Sequence, residues 1–172
     1  MGLSVEIIRS EVQEVYPPTL EHHHISDFLA LQKSESLKDY VKPGTLLITA
    51  DTIVWFNAKV MEKPTSTQEA FKTLQALSAA EHEVITSVCF RTAGQQVVKH
   101  STTRVKFAPL TEQMIQVYID SGQAMDKAGA YGIQDWIGLV GVEGITGSYT
   151  NVVGLPTELV YKTLRDLAES NI

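Results

Sequence analysis

Two long β-rich runs, separated by only four residues, constrain the fold of this chain more than any other feature. The first run extends from Glu83 to Arg91 and the second from Gln96 to Phe107. The segment between them, Thr92-Ala93-Gly94-Gln95, has the length and the glycine of a hairpin loop. The two runs are therefore predicted to be antiparallel neighbours in a β-sheet.

Helical patterns alternate with strand patterns along the rest of the chain. Ser66 and Glu69 form a capping box, and the apolar residues behind them fall on one helical face. An earlier helix is expected to end near Tyr40. That helix is predicted to start at Ser26-Asp27, and two further helix starts are predicted, at Thr111 and Pro156.

Three more strand segments are predicted outside the hairpin. One opens near Leu3 and carries Val5 and Ile7, and a second is the apolar run Leu46–Ala50, which places Asp51 at its far end. A third segment, Ile53–Phe56, is predicted either to continue the second strand or to form a separate one, and to turn into a short hairpin. The fold class is therefore α/β, with a long mixed sheet, helices packed on it and a groove across its middle.

Length and composition describe one ordinary folded domain over residues 1–172. The 172 residues include 44% hydrophobic and 20% charged residues, and the net charge of -6 argues against a protein that grips nucleic acid with a broad basic face. Neither a membrane span nor a signal peptide is recognisable. The lone Cys89 lies in an apolar run, and we expect a buried strand thiol in a cytoplasmic protein.

Several polar residues suit a site for an anionic ligand. Asp51 follows an apolar strand, where α/β sheets place ligand-binding groups, although the pattern alone fits a structural aspartate better. Lys33, Lys63 and Lys127 lie near glycine, proline or strand-end signals, and each suits either a phosphate or ordinary solvation. Lys127 stands out because small residues that let a ligand approach the backbone surround it.

Other kinds of site are disfavoured. The run Gly141–Ser148 has no lysine before its serine, so it is not a phosphate loop of the ATPase type, and neither a dinucleotide fingerprint nor a Gly-x-Ser-x-Gly elbow occurs. The consecutive histidines 22–24 lack the spacing of three or four that puts metal ligands on one helical face. They are predicted to lie in an exposed loop, and His82 is predicted to be a turn or packing residue.

Four separate motifs together resemble one known family, the Maf family, in order and spacing, from near Leu3 to the C-terminal helix. They are Ala50-Asp51-Thr52-Ile53-Val54, Lys63-Pro64, Asp126-Lys127-Ala128-Gly129-Ala130-Tyr131-Gly132-Ile133-Gln134 and Asn151-Val152-Val153-Gly154-Leu155-Pro156. Members of this family resemble inosine triphosphate pyrophosphatases in fold. They cleave nucleoside triphosphates to the monophosphate and pyrophosphate with a divalent metal.

The resemblance implies a role for each matching position. It makes Asp51 the catalytic aspartate and Glu14 an acidic residue that helps to hold the metal, Mg²⁺ or Mn²⁺. Lys33 and Lys63 match lysines that face the triphosphate, and Lys127 is expected to bind substrate as well. Thr52 and Gln134 match the positions that distinguish the dTTP and UTP subgroup from a subgroup that prefers 7-methyl-GTP.

These residue types suit the reaction. Water attacks the α-phosphorus while negative charge grows on the leaving pyrophosphate, so a carboxylate, a divalent metal and nearby ammonium groups are the natural equipment. The amide of Gln134 offers both a donor and an acceptor, and we expect it to pair with the edge of uracil or thymine. The expected partner is a nucleoside triphosphate, without nucleic acid or membrane, and the resemblance allows a homodimer.

Two departures from the family's pattern bear on activity. Glu62 stands where the family usually has glycine, which we expect to narrow the phosphate pocket. The family's Ser-Pro-Arg-Arg loop, which contacts phosphate, aligns upstream of Met1, so we expect this sequence to hydrolyse dTTP or UTP weakly. The alternative is a nucleotide-binding regulator of division-septum formation without catalysis.

Overall fold

The computed structural model describes residue 2 and residues 4–169. In this part of the chain the strands form one sheet in the order β2-β1-β3-β4-β5, and every pair is antiparallel. The strands are β1 (Leu47–Phe56), β2 (Lys59–Val60), β3 (Glu81–Arg91), β4 (Gln96–Phe107) and β5 (Val142–Thr146). The long sheet is thus antiparallel and not mixed: tight hairpins join β1 to β2 and β3 to β4, and β1–β3 and β4–β5 pair antiparallel across longer connections.

Helices cover both faces of the sheet, which confirms the predicted α/β class. They are α1 (His23–Ser36), α2 (Thr67–Leu77), α3 (Glu112–Asp120), α4 (Trp136–Gly141), α5 (Tyr149–Val153) and α6 (Thr157–Glu169). Two short 3₁₀ turns, at Lys38–Tyr40 and Ala128–Ala130, supplement them. None of the helices in the described residues has the length and apolar character needed to cross a membrane.

The alternation of side chains along β1 divides the core into two sides. Ile53 points to one face and packs with Ile25 and Leu29 of α1. Val54 points to the other face and packs into the larger cluster that includes residues of α2 and α3. Asp51 shares the face of Ile53, whereas Thr52 shares the face of Val54, so neighbouring polar residues reach opposite sides of the sheet.

The predicted hairpin is confirmed. β3 and β4 pair from Glu81↔Lys106 to Arg91↔Gln96, and Thr92 N donates to Gln95 O at 2.9 Å in the connecting loop. Cys89 is fully buried on β3, as expected for a strand thiol. The short hairpin after β1 is also confirmed, but β2 pairs only with Trp55 and Phe56.

Two strand predictions were wrong. Residues 4–16 form neither strand nor helix, and Val5 and Ile7 are 73% and 91% exposed, because no neighbouring strand pairs with them; Leu3 lies outside the described residues. Asp51 lies within β1 and not at its end, opposite Ser87. Because β1 pairs with β3 from residue 47 to residue 55, the strand continues beyond Asp51.

The first helix begins earlier than predicted. The structure starts α1 at His23, and Ser26 Oγ does not cap it but contacts Ser87 Oγ at 2.7 Å. The helix ends at Ser36, and the turn that follows it reaches Tyr40, close to the predicted end. The predicted caps Ser66 and Thr111 are confirmed by hydrogen bonds from the backbone N–H three residues on.

Replacing the cap of α2 should destabilise the protein measurably. In Ser66→Ala the N–H of Glu69 loses its acceptor, so we expect the free energy of unfolding to fall by about 1 kcal/mol in urea titrations. Gln68→Ala, at an exposed position in the same turn, is the matched control and should change stability by less than about 0.5 kcal/mol. Equal losses in both variants would contradict the capping role of Ser66.

Candidate active site

A cleft of about 350 Å³ lies beside β1, a size that suits a small-molecule ligand. Its walls come from β1, α1, α5, the segment before α1 and the loop before α4. All of the site residues predicted from the sequence line it, namely Glu14, Lys33, Asp51, Thr52, Lys63, Lys127 and Gln134. Residues that are up to 120 positions apart in the sequence therefore share one cavity.

One end of the cleft is a network of two carboxylates and two ammonium groups. Lys33 Nζ lies 2.5 Å from Asp51 Oδ1 and 2.8 Å from Glu14 Oε1. Lys63 Nζ reaches the second oxygen of Glu14 at 2.9 Å. The side chain of Asp51 is only 6% exposed, whereas that of Lys63 is 53% exposed, so the network runs from the interior to the surface.

Burial and pairing act in opposite directions on the ionisation of this network. Burial raises the pKa of Asp51, and the contact with Lys33 offsets this only in part. At Glu14 burial is outweighed by hydrogen bonds from Lys33 and Lys63, so the pKa is lowered. Burial also opposes the charge of Lys33, but its two carboxylate partners outweigh burial and raise its pKa. Lys33 therefore stays protonated beside a carboxylate that is more basic than usual.

The other end of the cleft holds a second ion network around Lys127. Its Nζ lies 2.8 Å from Asp126 Oδ1 and 3.5 Å from Asp135 Oδ2. Tyr118, from the buried face of α3, donates its hydroxyl to Asp135 Oδ2 at 2.6 Å. A Cβ at Gly132 would clash with that same oxygen, so a larger residue here would have to displace the Asp135 carboxylate.

Hydrogen bonds fix the wall of the cleft on the other face of the sheet. Thr52 Oγ1 lies 2.9 Å from Thr86 Oγ1, which donates to the backbone oxygen of Asn151 at 3.0 Å. Asn151 is fully buried, and its Nδ2 donates to Val84 O and Thr103 Oγ1, each at 2.9 Å. These bonds hold α5, and with it the rest of the wall, against the sheet.

Gln134 is the predicted site residue with the fewest constraints. It is exposed in the loop before α4, and its amide makes no hydrogen bond within the described residues. Both its donor and its acceptor are therefore available to a ligand in the cleft.

The charges around the cleft do not favour an anion by themselves. Four carboxylates, Glu14, Asp51, Asp126 and Asp135, and three lysines line it, so its formal charge is -1 when all of them are ionised. Each lysine is already paired with carboxylate oxygens. An anionic ligand must therefore exchange partners with these lysines, and a cation that accompanies the ligand would make binding easier.

Part of this site was not predicted from the sequence, and the effect of one neighbouring residue, Glu62, was predicted wrongly. Asp135 and Tyr118 were not identified, since Tyr118 reads as a core residue of α3 and only the fold brings it to the cleft. Asp126 directly precedes Lys127 in the same motif, so its place in the site could have been predicted from the sequence. Glu62 does not narrow the cleft: its side chain accepts a hydrogen bond from Tyr16 at 2.6 Å and lies outside the lining.

The histidines differ in part from the prediction. His23 and His24 begin α1 and so do not lie in a loop, while His22 precedes the helix and lies 2.8 Å from Glu83 Oε2. His82 is a packing residue, as predicted, but lies within β3, where its Nε2 meets the hydroxyl of Tyr131 at 2.7 Å. Burial lowers the pKa of His82 to about 4, so it is neutral near pH 7.

The chain is similar in sequence to known proteins over nearly its whole length. Residues 1–167 match the family described as Maf-like protein, and the chain belongs to that family. It is 47% identical over 170 residues to a dTTP/UTP pyrophosphatase of Christiangramia forsetii, an alignment that covers 99% of this chain and 87% of the relative. Proteins of the same name from Flavobacterium psychrophilum and Bacteroides fragilis are 45% and 46% identical, over 94% and 96% of this chain and 83% and 88% of theirs.

Removing the ammonium group of Lys33 should raise the pKa of Asp51 further. The lysine favours the ionised carboxylate, so in Lys33→Met burial acts almost unopposed and protonation of Asp51 moves to higher pH. A carboxyl ¹³C NMR titration of Asp51 measures this shift. Lys38→Met, which removes an exposed lysine paired with Glu35, is the control and should leave the titration of Asp51 unchanged. An unchanged or lower pKa in Lys33→Met would contradict the ion pair.

Proposed function

We propose that this chain hydrolyses dTTP, UTP and related pyrimidine nucleoside triphosphates to the monophosphate and pyrophosphate, and so removes them from the nucleotide pool. The observation that carries the proposal is a buried carboxylate, Asp51, held against Lys33 in a cleft that five further residues expected of such an enzyme also line. The names of relatives at 45–47% identity over nearly the whole chain support the same activity.

Asp51 is proposed to take the proton of the water that attacks the α-phosphorus. A general base works best when its pKa approaches the working pH, and burial shifts the pKa of Asp51 in that direction. Burial therefore has two effects on Asp51. It raises the pKa of the carboxyl group, and it strengthens the electrostatic interaction of the carboxylate with the groups around it. The Lys33 contact keeps the carboxylate ionised before substrate arrives.

Lys33 and Lys63 are proposed to bind the phosphates of the substrate. In the free protein both contact Glu14, which therefore holds the two ammonium groups on the same side of the cleft as Asp51. Phosphate oxygens compete well for such groups, because they carry more charge than one carboxylate. When Lys33 turns toward a phosphate, Asp51 loses the partner that lowers its pKa and becomes a stronger base.

The residues at this end of the cleft fit a divalent metal. Oxygen ligands suit Mg²⁺ or Mn²⁺, which proteins commonly hold with one or two carboxylates and the phosphates of the substrate. Glu14 and Asp51 both contact the same ammonium nitrogen, so both can reach a cation at one point between them. The formal charge of -1 around the cleft supports the same conclusion, since a triphosphate needs positive charge to enter. Such an ion would withdraw negative charge from the reacting phosphate.

The end of the cleft around Lys127 and Gln134 is proposed to bind the nucleobase of the substrate. Gln134 would pair with the carbonyl and N–H edge of uracil or thymine, and Thr52 would contribute to the same preference. Lys127 is proposed as a further substrate contact, kept in place by Asp126 and Asp135.

We also propose how the protein is organised in the cell. Residues 1–172 form one catalytic domain located in the cytoplasm, and the family resemblance allows a homodimer. The regulatory alternative, nucleotide binding without catalysis, is not favoured, because the relatives above are named for a hydrolytic activity.

Removing the proposed general base, Asp51, should abolish turnover. We expect Asp51→Asn to lower kcat for dTTP and UTP by at least about a hundredfold, because asparagine cannot accept the proton. Pyrophosphate release measures the rate, and circular dichroism with thermal unfolding verifies that the variant is folded. Asp39→Asn, at an exposed position after α1, is the matched control and should keep full activity. Turnover by Asp51→Asn at the rate of the unaltered chain would refute the assignment.

Removing the proposed contact between Gln134 and the nucleobase should weaken recognition of pyrimidines. In Gln134→Leu both hydrogen-bonding groups are lost, and we expect KM for dTTP and UTP to rise about tenfold, the equivalent of roughly 1.4 kcal/mol. Inhibition by inorganic tripolyphosphate, which has no base, should not change. Gln113→Leu, on the exposed side of α3, is the control. If tripolyphosphate inhibition weakened as much as KM rose, Gln134 would act on phosphate and not on the base.

A further inference from the structure

A cluster of metal-ligating side chains lies at the start of α1, outside the cleft. The ligand atoms of His23, His24 and Asp27 all lie within 4.8 Å of one another. Asp27 follows His23 by four residues and His24 by three, so one turn of helix brings the carboxylate next to both rings. The sequence analysis compared only the histidines with one another and therefore missed the carboxylate as their partner.

The surroundings of Asp27 resemble the support that proteins give to a metal ligand. Ser87 Oγ, fully buried on β3, donates to Asp27 Oδ1 at 2.6 Å. His100 of β4 approaches the same oxygen, with Nδ1 at 3.5 Å. Both contacts use Oδ1, which leaves Oδ2 for an ion, and a hydrogen bond such as that from Ser87 orients a ligating carboxylate.

The two histidine rings are held in place by stacking. His23 stacks on His100 with 4.2 Å between ring centroids, and the His24 ring lies 4.0 Å from His23. His22 is left out of the ligand set, because its Nε2 contacts Glu83 at 2.8 Å and its Nδ1 contacts His23 Nδ1 at 3.2 Å, which leaves Nε2 of His23 for an ion.

We propose that His23, His24 and Asp27 form a binding site for a transition-metal ion of the Zn²⁺ class, separate from the cleft. Two imidazoles and one carboxylate, with a position left for water, are a common zinc ligand set. Ligands around one tetrahedral zinc lie about 3.3 Å apart, so small rotations of these side chains bring them into place. Imidazole ligands favour Zn²⁺ over Mg²⁺, which distinguishes this site from the oxygen ligands of the cleft.

The bound ion would fasten the start of α1 to the sheet. Asp27 already links the helix to β3 through Ser87 and to β4 through His100. The same helix carries Lys33 at its other end, roughly 14 Å away along the axis. The proposal is independent of the pyrophosphatase activity, and its test does not use that activity.

Calorimetric titration of the metal-free chain with Zn²⁺ tests the site. We expect binding at this site to weaken by more than about tenfold in His24→Gln and in Asp27→Asn, both conservative changes at positions that are not fully buried. Zn²⁺ should also raise Tm in the unaltered chain and raise it less in each of these variants. Co²⁺ gives an independent signal, since its visible absorption reports nitrogen and oxygen ligands directly.

Two controls separate this site from the cleft and from the surface. Glu14→Gln removes a cleft carboxylate, and Asp39→Asn removes an exposed aspartate, and both should retain the Zn²⁺ affinity and the rise in Tm. The proposal is overturned if the unaltered chain binds no Zn²⁺, if His24→Gln and Asp27→Asn bind it as tightly as the unaltered chain, or if Glu14→Gln alone abolishes binding.

Discussion

The ammonium group of Lys33 holds together three separate parts of this protein. It contacts Asp51 in the middle of β1 and Glu14 in the irregular segment that precedes α1, and it belongs to α1 itself. A carboxylate that is 6% exposed in a sheet is costly without such a partner, and breaking a buried pair from one side costs about 3–5 kcal/mol. The polar residue in the strand and the lysine on the helix therefore depend on each other, and the cleft depends on both.

The same pairing explains how a cleft with more carboxylates than lysines can receive a polyanion. In the free protein Lys33, Lys63 and Lys127 are held by carboxylates, so the ammonium groups are positioned before any ligand enters. In the proposed function, binding would exchange a carboxylate partner for a phosphate, which would cost less than ordering a free lysine. The displaced carboxylates would then be available to hold a divalent cation, which would restore the balance of charge.

Local signals in the sequence were enough for much of the fold. The β3–β4 hairpin, the caps at Ser66 and Thr111 and the α/β class follow from patterns that span a few residues. Other features depend on long-range pairing, which the sequence does not show. Pairing with β3 extends β1 beyond Asp51, whereas residues 4–16 have a strand-like sequence but no strand pairs with them. The motifs predicted residues that do line the cleft. The hydrogen bond from Tyr118 to Asp135 was not predictable, because it forms only when α3 packs against the loop before α4.

The position of the cleft follows from the geometry of β1. Adjacent residues in a strand point to opposite faces, so Asp51 reaches the α1 side and Thr52 the α5 side. A cavity that both residues line must pass around the edge of the strand. It can do so only where no other strand pairs with that edge, and β2 pairs with β1 only at Trp55 and Phe56. The shortness of β2 is therefore a requirement of the site: a longer β2 would close the passage that joins the Asp51 side of the cleft to the Thr52 side.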